Sequence, residues 1–174
     1  MGKTCRGAAL ALLVAFFSAD LHAQGLKVAI VNAQKAVAET QEIKKAQADL
    51  TAKYRPRQQD IEKLQSDLQQ IQSQLQGPNL TPVKEQQLNA DGTMKQKQLQ
   101  RLSEDLRQDF DQDRNEILSR AGGRMQEVIK KLAEQKGLDV VVDAGNTLYF
   151  KPALDITAEA TVAYDKAYPL GASK

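Results

Sequence analysis

The side chains best suited to chemistry are scarce in this sequence. In 174 residues there is one cysteine, Cys5, and one histidine, His22. A thiolate nucleophile, an imidazole general base or a Cys/His zinc site would have to start from these two, and both lie in the opening segment. Met1–Gln24 carries Lys3 and Arg6, then the apolar run Ala8–Phe17, then a polar stretch ending Leu21-His22-Ala23-Gln24. This is the layout of a secretory signal peptide, with cleavage expected after Ala23. The apolar run spans about ten residues, short of the roughly 20 needed to cross a bilayer. Small apolar residues do not precede Cys5, which argues against lipidation.

Cleavage removes Cys5 and His22, leaving carboxylates as the remaining candidates for acid–base or metal chemistry. Nothing in the chain spaces them as such a site requires. The expectation is therefore no catalytic residue, no metal, no cofactor and no enzyme. Loss of Lys3, Arg6 and Asp20 leaves 22 basic and 21 acidic residues, a net charge of +1. That balance lacks the electrostatic footprint of a nucleic-acid-binding protein.

What remains to be positioned is surface. Residues 34–76 and 83–136 read as two long helical arms, folded back at Gly77-Pro78-Asn79-Leu80-Thr81-Pro82. In the first arm Ile61, Leu64, Leu68, Ile71 and Leu75 step by alternating threes and fours, the seam of a coiled coil. As one helix this arm would extend roughly 65 Å. Pro56 interrupts it and predicts a bend. Thr81 as N-cap and Pro82 at the first helical position start the second arm, whose seam is clearest from Leu99 to Leu132. Asp91-Gly92 predicts a local break, and Gly122-Gly123 a second point of flexion.

A turn centred near Asn79 places residue i near residue 158−i. On that register the acidic stretch 102–116 faces the basic stretch 42–56. It also sets Pro56 opposite residue 102 and the glycine pair opposite residue 36, near the root of the arm. Residues 58–76 hold eight glutamines and little net charge, a polar and adaptable surface.

The ends supply a small body, residues 24–33 and 137–174. Lys27–Asn32 is a short β-branched run and Asp139–Asp143 a second, after the helix stop Lys136-Gly137. Ala144-Gly145-Asn146 is expected to turn into a third strand, Thr147–Phe150, paired with the second as a hairpin. A short helix then follows from Thr157, its expected N-cap, to about Tyr168. The fold class is α+β, mainly helical. A β-rich oligomerisation body carries a long antiparallel helical hairpin inserted between its first and second strands. Three short strands have too little core and uncovered edges, so self-association through Val28, Ile30, Val140, Val141 and Val142 is expected, with Val141 at a central buried position.

In order, the signal peptide, Lys27-Val-Ala-Ile-Val-Asn32, the glutamine-rich hairpin, Lys136-Gly-Leu-Asp-Val-Val-Val-Asp143 and Asp155-Ile-Thr157 resemble the Skp (OmpH-like) family of periplasmic chaperones. The resemblance covers essentially the whole mature chain. It implies a homotrimer whose β segments form a common body with three arms around a cavity. It also implies an ATP-independent holdase that binds unfolded outer-membrane β-barrel proteins in the periplasm and prevents their aggregation. Family arms are often markedly basic, whereas these tips are near neutral, so no lipopolysaccharide or membrane site is carried over. The residues contacting bound chains are not identifiable from sequence. The competing reading is a structural or adaptor coiled-coil protein of the cell envelope.

Overall fold

A computed structural model describes residues 25–171; the expected signal segment lies outside them. Strand β1 (Val28–Val31) leads into helix α1 (Ala33–Glu39) and then α2 (Gln41–Leu75). The long helix α3 (Pro82–Lys136) returns to strand β2 (Val140–Asp143), and α4 (Thr157–Ala167) closes the chain. The helical hairpin is thus inserted between the two strands, as expected.

The first arm is two helices rather than one. At Thr40 the backbone leaves helical geometry (φ −64°, ψ 151°). Its hydroxyl donates to the Val37 carbonyl at 2.8 Å and accepts from the Ile43 N–H at 3.3 Å. Thr40 therefore ends α1 and caps α2 at once, and it is completely buried. A threonine can replace the missing helical bonds locally, which makes it a good junction residue. Helix α2 has 35 residues and α3 has 55, or roughly 52 and 82 Å.

The expected break at Asp91-Gly92 does not occur; α3 runs through both residues. A glycine weakens a helix without ending it, and here Gly92 sits against Ile71 of α2: a Cβ built on it would lie 3.5 Å from Ile71 Cγ2. Helix α2 likewise continues through Pro56. At the tip Thr81 accepts from the Lys84 N–H with Pro82 in the first turn, as read from sequence. Asn79 takes a positive φ of 68°. At the far end Gly137 adopts the left-handed conformation (φ 61°), and the Gly137 and Leu138 N–H groups bond to the carbonyls of Glu134 and Ala133.

The body departs from the three-stranded expectation. The sheet has two strands, parallel, with Val28 opposite Val140 and Ile30 opposite Val142. A parallel pair needs a long crossover, which the whole arm provides. Thr147–Phe150 forms no strand. A tight hairpin needs positive φ in its turn, and Gly145 does not supply it. Asp143 instead accepts from the Gly145 N–H at 2.7 Å, opening a short 3-10 turn over Ala144–Asn146. The chain then leaves the sheet with Leu148 fully exposed and Tyr149 81% exposed. On the other side of β1, the Ile156 N–H bonds to the Ile30 carbonyl at 2.9 Å.

The main core lies where β1, the start of the arm, the end of α3 and α4 converge. It includes Ala29, Val31, Ile43, Met125, Ile156 and Tyr164. Thr157 opens α4 but does not cap it. Asp155 accepts from the Thr157 N–H at 2.8 Å, while the buried Thr157 hydroxyl accepts from the Asn32 N–H at 2.9 Å. The Thr157 hydroxyl is thus engaged in a tertiary bond to the start of α1 instead of a local cap.

Candidate functional surface: the arm and its root

Two helices cannot enclose a seam on all sides, and this pair does not. Leu50, Tyr54, Leu64 and Leu88 are buried between them, but Ile61, Leu68, Ile71, Leu99, Leu102 and Leu106 remain half-buried. Val83 and Met94, near the tip, are largely exposed. Toward the root an apolar recess of about 330 Å³ opens between α2 and α3, lined by Leu50, Phe110, Ile117 and Leu118, with Arg114 also on its wall. The arm thus offers an interrupted apolar stripe among polar side chains, with no enclosed chamber. Among the described residues no group of three His, Cys, Asp or Glu could hold a metal, and no helix is long and apolar enough to cross a membrane.

Charge sets the register of the arm. Lys53 pairs with Asp113 and Arg57 with Asp109, each at 2.5 Å, and Lys95 with Asp67 at 2.6 Å. Opposite signs meet as the sequence implied, but the alignment differs. Partner numbers total 166 for the first two pairs and 162 for the third, against the expected 158. Helical side chains lean toward their own N-termini, so touching residues in an antiparallel pair sit about one position further along on each helix. That accounts for about two of the difference. The remainder puts the midpoint of the hairpin near Thr81 instead of Asn79.

Pro56 consequently faces the region of Asp109 and Phe110. Beside it, Tyr54 stands edge-on to Phe110 with ring centroids 5.5 Å apart. Its hydroxyl donates to Asp113 at 2.7 Å. The glycine pair faces Thr40–Lys44 on this alignment, not residue 36.

The root carries a charged network that sequence reasoning missed. Glu42, in the first turn of α2, accepts from Arg124 at 3.0 and 2.9 Å and from Arg120 at 3.4 Å. Tyr164 of α4 donates to the same carboxylate at 2.5 Å. Burial pushes the Glu42 carboxyl up, but the Tyr164 hydroxyl and the Arg124 and Arg120 guanidiniums outweigh it and hold the group below its ordinary value. The Tyr164 hydroxyl is pushed up to about 12, by burial first and by the Glu42 carboxylate second. Arg124 also stacks over the Tyr168 ring at 4.7 Å. Arg120 and Arg124 at helical spacing were the available signal, but a lone Glu42 eighty residues away gives no local hint of the pairing.

The residues expected to mediate self-association form one sheet in pairs, yet unequally. Ile30 is buried, Val28, Val141 and Val142 are half-buried, and Val140 is exposed. Within one chain Val141 lies on an edge strand, not at a central buried position, because β2 has no neighbour beyond it. Pro56 lies well along the arm and Gly122-Gly123 at its root, so these positions are not brought together.

Comparison with known proteins places this architecture. The family described as outer membrane protein (OmpH-like) matches residues 27–163. The chaperone protein Skp of Yersinia enterocolitica is 31% identical over 166 residues, covering 91% of this chain and 96% of that protein. The Skp-like protein of Pseudomonas aeruginosa is 22% identical, covering 77% and 81%. A crystal structure of an OmpH-like protein from Caulobacter crescentus CB15 superposes with a TM-score of 0.67 at 18% identity, covering 95% of this chain and 90% of the other. A two-stranded sheet interrupted by one long helical hairpin, matched along most of its length by these relatives, makes this chain a member of the OmpH-like family, which includes the Skp chaperones.

Proposed function

We propose that the protein is an ATP-independent holdase of the periplasm that binds unfolded outer-membrane β-barrel proteins and prevents their aggregation. The observation that carries this reading is the half-open seam: a long two-helix arm in which Ile61, Leu68, Ile71, Leu99, Leu102 and Leu106 are shielded but not sealed. Such a surface can accept many apolar segments weakly, as a holdase requires, and it needs no reacting group. Proteins named chaperone protein Skp are its relatives, which supports the same role, and the expected signal peptide agrees with a periplasmic site.

The working form is a homotrimer. The unpaired edge of β2, the exposed Val140 and the neighbouring Leu148 and Tyr149 support burial against further copies of the chain. An unfolded β-barrel protein diluted from urea tests the function. Light scattering should be suppressed at stoichiometric amounts of this protein, equally with and without ATP. Undiminished aggregation, or suppression only with ATP, would overturn the reading.

A further inference from the structure

The two faces of the arm differ in kind. Seen from one end, residue numbers advance in opposite senses around the two antiparallel legs. Residues one place after a seam position therefore share one face on both legs, and residues one place before share the other. Each ion pair joining the legs among the described residues draws on the second face: Glu42, Lys53, Asp67, Asp109, Arg120 and Arg124 all stand one place before a seam residue. The apolar recess at the root opens on the first face, where Gln47, Thr51 and Leu118 follow Ala46, Leu50 and Ile117.

Further out, the first face is almost free of charge. Gln58, Gln65 and Gln72 of α2 recur every seven residues, one place after Arg57, Leu64 and Ile71. Asn89, Gln96 and Ser103 of α3 keep the same interval, one place after Leu88, Lys95 and Leu102. The two rows stand in opposed pairs whose numbers total 161, beside 162 for Asp67 and Lys95. Of the residues that follow a seam position in 58–76 and 89–103, only Glu62 is charged; those that precede one include Asp60, Lys63, Asp67, Asp91 and Arg101. All six of the paired residues are exposed except the half-buried Ser103. None makes a side-chain hydrogen bond within the described residues, where Gln100 on Glu104 is the one glutamine side chain of the two long helices so held.

We propose that this uncharged face is where the arm holds an unfolded chain, as an extended segment whose backbone the carboxamides bind. The inference rests on the holdase reading and adds to it the surface and the chemistry. A carboxamide offers a carbonyl acceptor and N–H donors, the complement of a peptide group with one of each. The backbone carries no net charge, so a face without charge suits it, whereas the opposite face has its charges engaged between the legs. Alternate side chains of an extended segment point to one side, toward the half-buried Ile61, Leu68, Ile71 and Leu99 between the rows. From Gln58 to Gln72 the rows run roughly 21 Å, the length of about six extended residues.

The test uses the intact chain, which has no tryptophan, so tryptophan fluorescence of a urea-unfolded β-barrel protein diluted into it reports binding directly. Gln65→Glu, Gln72→Glu and Gln96→Glu together should weaken the affinity about tenfold. Gln70→Glu, Gln74→Glu and Gln98→Glu add the same charge to the opposite face and should leave it unchanged. If the first triple variant fails to fold by circular dichroism, Gln72→Cys and Gln70→Cys take its place, each in the chain lacking Cys5 and carrying a benzophenone maleimide. Cross-linking to the unfolded protein should then be severalfold greater from position 72. A first triple variant that binds as well as the second, or equal cross-linking from the two cysteines, overturns the assignment of the face and leaves the holdase reading standing. A parent protein that binds no unfolded chain overturns both.

Discussion

The Tyr54 hydroxyl reaches across the arm to Asp113 at 2.7 Å, two residues before the proline that interrupts α2. Pro56 cannot donate to the helix, and its ring crowds the preceding turn, at a cost of about 3 kcal/mol in a helix interior. The residues around it are tied to α3 instead, through Tyr54 on Phe110 and Asp113, Lys53 on Asp113 and Arg57 on Asp109. The proline is thus a braced weak point.

Removing that brace should loosen the middle of the arm. Tyr54→Phe deletes one hydrogen bond and should reduce stability by about 0.5–1.5 kcal/mol. Tyr54→Ala also empties a buried site and should remove about 3–5 kcal/mol. Urea unfolding followed by circular dichroism measures both, and hydrogen exchange should rise first around residues 50–60. Equal stability of the alanine variant and the parent would show that the brace carries no weight.

Gly92 lies inside a continuous helix against Ile71, at a distance where a methyl group makes ordinary contact. Gly92→Ala should therefore stabilise the protein by about 1 kcal/mol, seen as a higher urea midpoint with an unchanged slope. A lower midpoint would mean that the two arms cannot accept even a methyl group there.

Self-association should depend on the body and not on the tip. Val141→Asp places a charge on the half-buried strand β2 and should abolish the trimer, since an unpaired charge in an apolar setting costs several kcal/mol. Leu148→Ser with Tyr149→Ser removes exposed apolar groups and should weaken assembly while leaving the helical signal unchanged. Leu75→Ala, near the tip, should leave the trimer intact. Sedimentation velocity distinguishes these outcomes; trimers of all three variants would place the interface elsewhere.

The root should weaken in acid. Glu42 has a folded value below its ordinary 4.5, so its bridge contributes fully above pH 4.5 and is lost as the pH falls through the lowered value. The groups facing it are Arg120, Arg124 and Tyr164, none of which changes charge in that range. Hydrogen-exchange protection at residues 120–125, measured against the intrinsic rate at each pH, should fall in the parent as the pH drops below the ordinary 4.5 and through the lowered value. Glu42→Gln should be weakly protected at every pH and lose that acid step. The same step in the glutamine variant would assign it to another carboxylate.

Much of this molecule follows from local rules. Two long runs of helix-forming residues with apolar steps of three and four can only be helices that bury one stripe. Thr81-Pro82 and Lys136-Gly137 punctuate a chain by dihedral preference alone, so those helix ends stand where the sequence puts them. The lack of Cys and His beyond the opening segment is a matter of composition. Opposite charges on the two arms specify that they meet.

Where local and tertiary demands competed, only the folded chain decided. Thr40 reads as one more helical residue until the body requires the chain to turn there. Thr157 gives up its cap for a bond to the Asn32 N–H, between β1 and α1. Thr147–Phe150 has the composition of a strand, yet Asp143 turns the backbone away from the free edge of β2. The alignment of the arms depends on side-chain lean and on the path of the tip, neither of which has a sequence period. Glu42 acquires its place only when α3 returns along α2 with two arginines level with it, because charge pairing across some eighty residues is a property of register, not of sequence distance.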